Sequence, residues 1–446
     1  MTQRTRRPAP KAFRWFVGSG RSFKNVTTVF TGTAAAHAFT FLIMVPLARL
    51  YSPADFGLFV IIQSVAIVGT SLASLRYDMA IVLPDSNTTA RVLHRLASRT
   101  IAITSLLLAS VLFLARRWIE EVYDNRAFSY WALAAAGVVF FTAQIANTQF
   151  WLTRQKAFAV LAANKAVAAI AVGGFQLLFA FVTGGFEGLL LGLLLGQALA
   201  LVLVALRAPE LRAPMPRDAP TMREVAVRYR RMPLLNGPNV VLDAVREAGV
   251  NILIGNIAVS GLGQYNLAFS GTIAPVKLLN GAVSSVFLQK LATTGPGHMF
   301  RLVRATVARA LLISLPGFTL FYLLAPWFFP ALFGNEWAEA GRIAQALVPW
   351  TFMLTLTTPI STIFVALEAQ GWALALALLQ VIVVFSLLIM SPFELLGTVR
   401  LLGGVLAGFL LFWLANAFLL AHRFDRRGAS SRPDADSLSD DEAHIA

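Results

Sequence analysis

Three charged side chains interrupt the apolar run VVLDAVREAGVNILIG, from Val240 to Gly255: Asp243, Arg246 and Glu247. Asp243 and Glu247 are an i,i+4 pair, and Asp243 and Arg246 an i,i+3 pair, so on a helix all three share one broad face. Carboxylates there suit a coupling cation or a basic partner, and a guanidinium suits phosphate through its planar fork. A charge at the centre of a bilayer costs at least about 2.5 to 3.5 kcal/mol on insertion scales. The face must therefore look at another helix or at water. Lys277, Lys165, Arg76, Asp78 and His37 are further ionisable groups within apolar stretches.

The chain around them has 446 residues, is 57% hydrophobic and 13% charged, and has a mean hydropathy of +0.69. So little charge cannot cover the surface of a soluble protein, and the composition is that of a polytopic all-α membrane protein. The net charge of +15 fits basic loops held against anionic lipid, not nucleic acid. Cysteine is absent, which excludes disulfides, thiolate metal sites and cysteine nucleophiles. No metal or cofactor is expected. The basic N-terminus has no short apolar region followed by a small-residue cleavage site, so the first span is expected to be retained.

A bilayer-spanning helix needs about 20 apolar residues. Such runs predict twelve spans, near 26–49, 56–83, 97–115, 128–152, 157–182, 187–206, 232–257, 264–290, 304–329, 340–366, 371–390 and 399–421. With the N-terminus inside, 26 of the 37 Lys and Arg residues fall on the cytoplasmic side, and only Arg116, Arg117 and Arg126 on the other. This asymmetry predicts both termini in the cytoplasm and an even number of spans. Of the remainder, Arg49, Arg309, Arg342 and Arg400 lie near helix ends, where they can snorkel to headgroups.

The long basic connection divides the chain. The expected organisation is a basic, interfacial segment at 1–24, an N-lobe at 25–206, a cytoplasmic linker at 207–231, a C-lobe at 232–421 and a disordered cytoplasmic tail at 422–446. SPADFGLF (Ser52 to Phe59) and SGLGQYNL (Ser260 to Leu267) occupy corresponding places in the two halves. Two six-helix lobes in the same orientation, related by a pseudo-twofold axis along the membrane normal, would form a parallel repeat with its site at their interface.

LRYDMAIVLP (Leu75 to Pro84), YRRMPLL (Tyr229 to Leu235) and LFGNEWAEAG (Leu332 to Gly341), in this order, resemble segments of the bacterial oligosaccharide flippases. These are O-antigen and exopolysaccharide repeat-unit translocases of the multidrug/oligosaccharidyl-lipid/polysaccharide exporter superfamily. The resemblance runs from about residue 25 to 420. It implies a transporter of the inner membrane that moves polyprenyl-diphosphate-linked glycan to the outer leaflet by alternating access, for lipopolysaccharide or exopolysaccharide synthesis. It also implies a cationic central cavity that grips the anionic headgroup.

At 1.5 Å rise per residue, Arg246 lies about 21 Å, Asp243 about 16 Å and Glu247 about 22 Å into span seven. Lys277 lies about 20 Å into span eight and Lys165 about 12 Å into span five. Two arrangements are open: a buried cluster of Asp243 and Glu247 against Arg246 and Lys277, or a polar cavity wall offering cations to diphosphate and carboxylates to H+ or Na+. Arg76 is either an interface anchor beside Asp78 or the first contact of a phosphate in the inner leaflet. The stripe Arg91, Arg95, Arg99 suits lipid headgroups. His37 is either packed by a hydrogen bond or a proton relay. Thr31, Thr33, Thr40, Asn147, Gln149, Asn164 and Gln176 could line a glycan path or bond helix to helix.

No G-x-x-x-x-G-K-[ST] occurs, so a secondary transporter is expected, with no ATPase of its own. Membrane lipids, a polysaccharide polymerase and glycosyltransferases are its candidate partners. A multidrug antiporter would instead want unpaired carboxylates. A membrane polymerase or ligase needs a sizeable outside loop bearing acids or bases, and the longest, Arg116 to Ala127, is roughly a dozen residues.

Overall fold

The computed structural model describes residues 38–293, 297–361, 363–366 and 370–430. His37, Thr31, Thr33, the basic N-terminal segment and residues 431–446 of the expected tail lie outside the described residues, whereas 422–430 are helical. Twelve helices follow the predicted spans: α1 (Ala38–Leu50), α2 (Pro53–Ala73), α3 (Asn87–Tyr123), α4 (Arg126–Arg154), α5 (Phe158–Val182), α6 (Gly185–Leu206), α7 (Gly237–Ile257), α8 (Val259–Thr293), α9 (Met299–Phe333), α10 (Ala338–Thr357), α11 (Gln370–Met390) and α12 (Leu395–Ser430). Eight are long and apolar enough to cross a membrane, and α1 and the part of α11 from Ala375 to Met390 are shorter apolar stretches. The remaining two, α7 and α8, carry the intramembrane charges. The chain is thus an all-α polytopic membrane protein.

Local sequence explains the helix starts. Ser52 caps α2 in a capping box with Asp55, Ser86 accepts from the N–H of Thr88 at the start of α3, and Asn125 accepts from Phe128 N–H at 2.9 Å. Each satisfies a backbone donor that the first helical turn leaves unpaired. Two boundaries differ from the expectation. The second span does not run on to residue 83: α2 stops at Ala73, because Leu75 and Arg76 take left-handed backbone angles, φ 46° and 61°. The connection expected from Arg116 to Ala127 is almost entirely helical, since α3 continues to Tyr123 and α4 begins at Arg126. The stretch ARRWIEEVY carries its charges on a helix, not in a loop.

The described residues form two compact units. One comprises those of Met1–Asn266 together with Pro330–Trp337, and the other Leu267–Phe329 with Ala338–Ala446. In the first, hydrogen bonds join neighbouring helices: Gln176 Nε2 of α5 donates to Leu189 O of α6 and Asn164 Nδ2 to Ala200 O, both at 3.0 Å. In the second, Phe287, Met299, Val303, Ile360, Phe364 and Ala417 form a buried cluster. Asp425 of α12 accepts from the backbone N–H groups of Gly297, Met299 and Phe300. A carboxylate thereby sits on the N-terminus of α9, where the helix dipole favours it.

Candidate functional site

The charged stretch of α7 stands beside its packing face. Ala244, Ala248 and Ile254 are buried, and Asn251 Nδ2 donates to Ser64 Oγ of α2 at 3.0 Å. At 3.6 residues per turn, Asp243, Arg246 and Glu247 lie roughly 60° to 160° around the helix from Ala244. Asp243 and Glu247 are exposed. Arg246 Nη2 sits 3.3 Å from Asp243 Oδ1, with the two side chains 39% and 72% exposed. Those exposures decide one point: the trio is not sealed in dry protein contacts. Such an open pair contributes little to stability. Since hydrocarbon rejects charge, this face needs water or a polar partner.

Lys277 is exposed on α8, in the second unit. Lys165 is half-buried on α5, where Asn164 turns inward to α6. The structure thus brings Asp243, Arg246 and Glu247 together on one helix, while Lys165 lies on α5 and Arg76 in the break after α2, within the same unit.

Arg76 occupies the break between α2 and a short helix, Tyr77–Ala80. Its backbone N–H donates to Ser74 Oγ at 3.2 Å, its Nη2 meets Met79 Sδ, and its Nε is buried with no hydrogen-bond partner. Asp78 is buried and accepts from Met79 N–H at 2.9 Å. The rest of LRYDMAIVLP is an anchor. Tyr77, Ala80 and Ile81 enter a buried cluster with Leu93, Trp151 and Val225. Arg154 of α4 donates to the carbonyls of Ile81, Pro84 and Asp85 and to Asn87 Oδ1. That fixation aims Arg76, and a turn without glycine gave no sign of its left-handed backbone.

Several polar residues have structural partners. Arg91 and Arg95 donate to the carbonyl of Ala213, Arg91 also to that of Pro214, and Arg99 meets Met222 Sδ. Within the protein, the linker between α6 and α7 takes these donors. Asn147 donates to Ser98 Oγ and His94 O, and Gln149 to Asn164 Oδ1, so both serve helix-to-helix bonding. Thr40 and Gln176 line a cavity of about 310 Å³ within the first unit, beside the Thr142–Gln197 hydrogen bond of 2.7 Å.

LFGNEWAEAG closes the turn between α9 and α10. Trp337 is buried, its Nε1 donating to Ala48 O at 2.6 Å and its ring edge-on to Phe56 at 5.2 Å. Arg49 reaches the carbonyls of Ala331 and Leu332, both at 3.1 Å. Tyr51, between α1 and α2, donates to Gln176 O at 2.7 Å. Burial, with Asp55 nearby, pushes its phenol up to about 12.

The family model described as "Polysaccharide biosynthesis protein" matches residues 46–342. No curated protein sequence matches the chain. Among solved structures, the lipid II flippase MurJ in an inward closed conformation has a TM-score of 0.67 at 12% identity, covering 89% of this chain and 90% of that one. An inward-facing multidrug resistance MATE family transporter of the MOP superfamily has a TM-score of 0.58 at 14% identity, covering 95% and 98%. A MOP superfamily transporter from Pyrococcus furiosus, described by the reverse polarity of its binding pocket, has a TM-score of 0.57 at 14% identity, covering 95% and 98%. At these identities the likeness is one of fold.

Proposed function

The chain belongs to the polysaccharide biosynthesis protein family, and on that premise we propose that it is a flippase for lipid-linked oligosaccharide. In this reading it carries polyprenyl-diphosphate-linked repeat units from the inner to the outer leaflet of the bacterial inner membrane, by alternating access. Its termini are cytoplasmic, and O-antigen or exopolysaccharide synthesis consumes its product.

The observation that carries the proposal is the open acid–base stripe on α7, with Arg246 only partly occupied by Asp243. A cation on a spanning helix, beside water, offers a diphosphate the counter-charge that hydrocarbon denies it. Lys277 at similar predicted depth adds a second cation, and Lys165 and Arg76 extend the path. Asp243 and Glu247 are the candidates for binding H+ or Na+, or for releasing Arg246 when substrate arrives; Asp78 and His37 are secondary candidates.

The driving force is that of a secondary transporter. An inside-negative potential favours outward movement of an anion by about 2.3 kcal/mol per unit charge per 100 mV. The fold likeness to MATE transporters supports a second reading, a multidrug antiporter. The exposed carboxylates Asp243 and Glu247 suit it, but the equal presence of Arg246 and Lys277 does not suit cationic drugs. A polymerase or ligase is disfavoured by the link between α3 and α4, which is only Asp124 and Asn125 where such an enzyme needs a sizeable outside loop.

Complementation of a deletion strain separates these readings. Arg246→Ala and Lys277→Ala are each expected to abolish surface polysaccharide while the protein still reaches the membrane. Normal polysaccharide in both variants would end the cationic-site proposal. Lost drug resistance with intact polysaccharide in the deletion strain would favour the antiporter.

A further inference from the structure

We propose that the cavity between the C-terminal end of α2 and the N-terminal end of α7 is a binding site for a lipid phosphate, with Arg76 on the phosphate and an apolar wall on the chain. The cavity, about 470 Å³, is lined by Leu72, Val241, Leu242 and Val245 among others, with Ser71 and Arg76 supplying the polar side chains. Its volume lies within the range of small-molecule sites, as does its pattern of an apolar lining and few polar groups.

Three independent irregularities meet at this cavity. First, Arg76 Nε is buried without a hydrogen-bond partner, and its Nη2 has only a thioether, a weak acceptor. Leaving a charged donor unsatisfied costs more than leaving a neutral one. A phosphate oxygen would supply the missing acceptor. Second, Leu75 and Arg76, both lining residues, hold left-handed backbone angles without being glycine. Such backbone angles are strained for residues with a Cβ, and such strain gathers at ligand sites. Third, the opposite wall begins in a π-helical turn, Met232–Asn236. Turns of this kind are rare and concentrate at functional positions.

The chemistry of the lining selects the ligand class. A free phosphate would satisfy Arg76 but would press its remaining charged oxygens against Leu72 and Leu242. A neutral lipid would fill the wall and leave the guanidinium unpaired. An amphiphile with a phosphate head and one apolar chain satisfies both. The site lies at the ends of α2 and α7 that the charge pattern puts in the cytoplasmic headgroup layer, with Arg228, Arg230 and Arg231 just before α7. A lipid phosphate in that leaflet meets it without crossing any barrier. The assignment rests on the proposed function in naming the lipid part of its substrate, and it can be tested without transport.

The test is thermal unfolding of the purified full chain in detergent with four probes: farnesyl phosphate, farnesol, phosphatidate and inorganic phosphate. Farnesyl phosphate is expected to raise the unfolding temperature of the wild type. Its apparent Kd is expected to weaken at least about tenfold in Arg76→Gln, as loss of a charge-assisted bond requires. Val241→Trp fills the cavity while keeping Arg76, and should weaken binding similarly. Arg76→Lys should retain part of it. Equal protection by phosphatidate would assign the cavity to bilayer phospholipid as well as to carrier lipid, and upholds the site. Equal protection by farnesol or by inorganic phosphate, unchanged binding in Arg76→Gln and Val241→Trp, or no protection of the wild type would each overturn it. A chain that binds farnesyl phosphate yet exports no glycan would keep the site and reject the transport proposal.

Discussion

Trp337 is 1% exposed, with its indole N–H on the carbonyl of Ala48 and its ring against Phe56. A side chain of that size dominates the packing around it. Trp337→Ala should therefore cost about 3–5 kcal/mol, whereas Trp337→Phe keeps an aromatic body and should cost about 1 kcal/mol for the lost hydrogen bond. Chemical or thermal unfolding in detergent would check this, and equal losses in the two variants would show that the hydrogen bond, not the packing, holds the turn. Single residues were unevenly legible in the sequence. Asp243, Arg246 and Glu247 stand out because charge is rare in apolar runs, and they do stay open to their surroundings. Arg91, Arg95 and Arg99 resemble a lipid-binding stripe, yet Arg91 and Arg95 hold linker carbonyls and Arg99 meets Met222 Sδ, neighbours that no local pattern encodes. The strain at Leu75 and Arg76 was invisible for a related reason: the contacts of Arg154 and the cluster around Trp151 impose it from afar.

Gly57 of α2 and Gly263 of α8 mark a reciprocal crossing of these two elements. A Cβ on Gly57 would collide with the carbonyl of Val259, and a Cβ on Gly263 with that of Pro53. Both glycines sit in the paired stretches SPADFGLF and SGLGQYNL, whose likeness is otherwise faint. Close approach of helices through small residues is how membrane helices pack without a hydrophobic drive. Gly57→Ala and Gly263→Ala should each cost about 1–3 kcal/mol through overpacking. Gly174→Ala, where a Cβ meets nothing within 4 Å, should cost nothing. Unfolding temperatures of the three variants would decide, and an unchanged Gly263→Ala would mean the crossing yields without strain. At this scale hydropathy located α1 to α12, but not their ends, nor the short helices Tyr77–Ala80 and Met222–Arg228. The end of α2 is set by backbone angles at Leu75 and Arg76, and the ends of α3 by polar turns that continue the helix into the headgroup region.

At the scale of the whole molecule, apolar length picks out eight spanning helices among the described residues, because a bilayer leaves the backbone no other way to satisfy its hydrogen bonds. The orientation rests on the distribution of Lys and Arg, which the electrostatics of insertion reads directly. The fold shared with MurJ at 12% identity shows how little of the sequence that architecture consumes. Transport is the central proposal here, and voltage offers its sharpest probe. The decisive measurement is the transbilayer movement of a polyprenyl-diphosphate-linked oligosaccharide in liposomes holding the purified protein, under an imposed potential. The account predicts movement well above that of protein-free liposomes, faster when the potential drives the anion across, and lost in Arg246→Ala with Lys277→Ala combined. Wild-type liposomes no faster than empty ones, or a double variant as fast as the wild type, would contradict it.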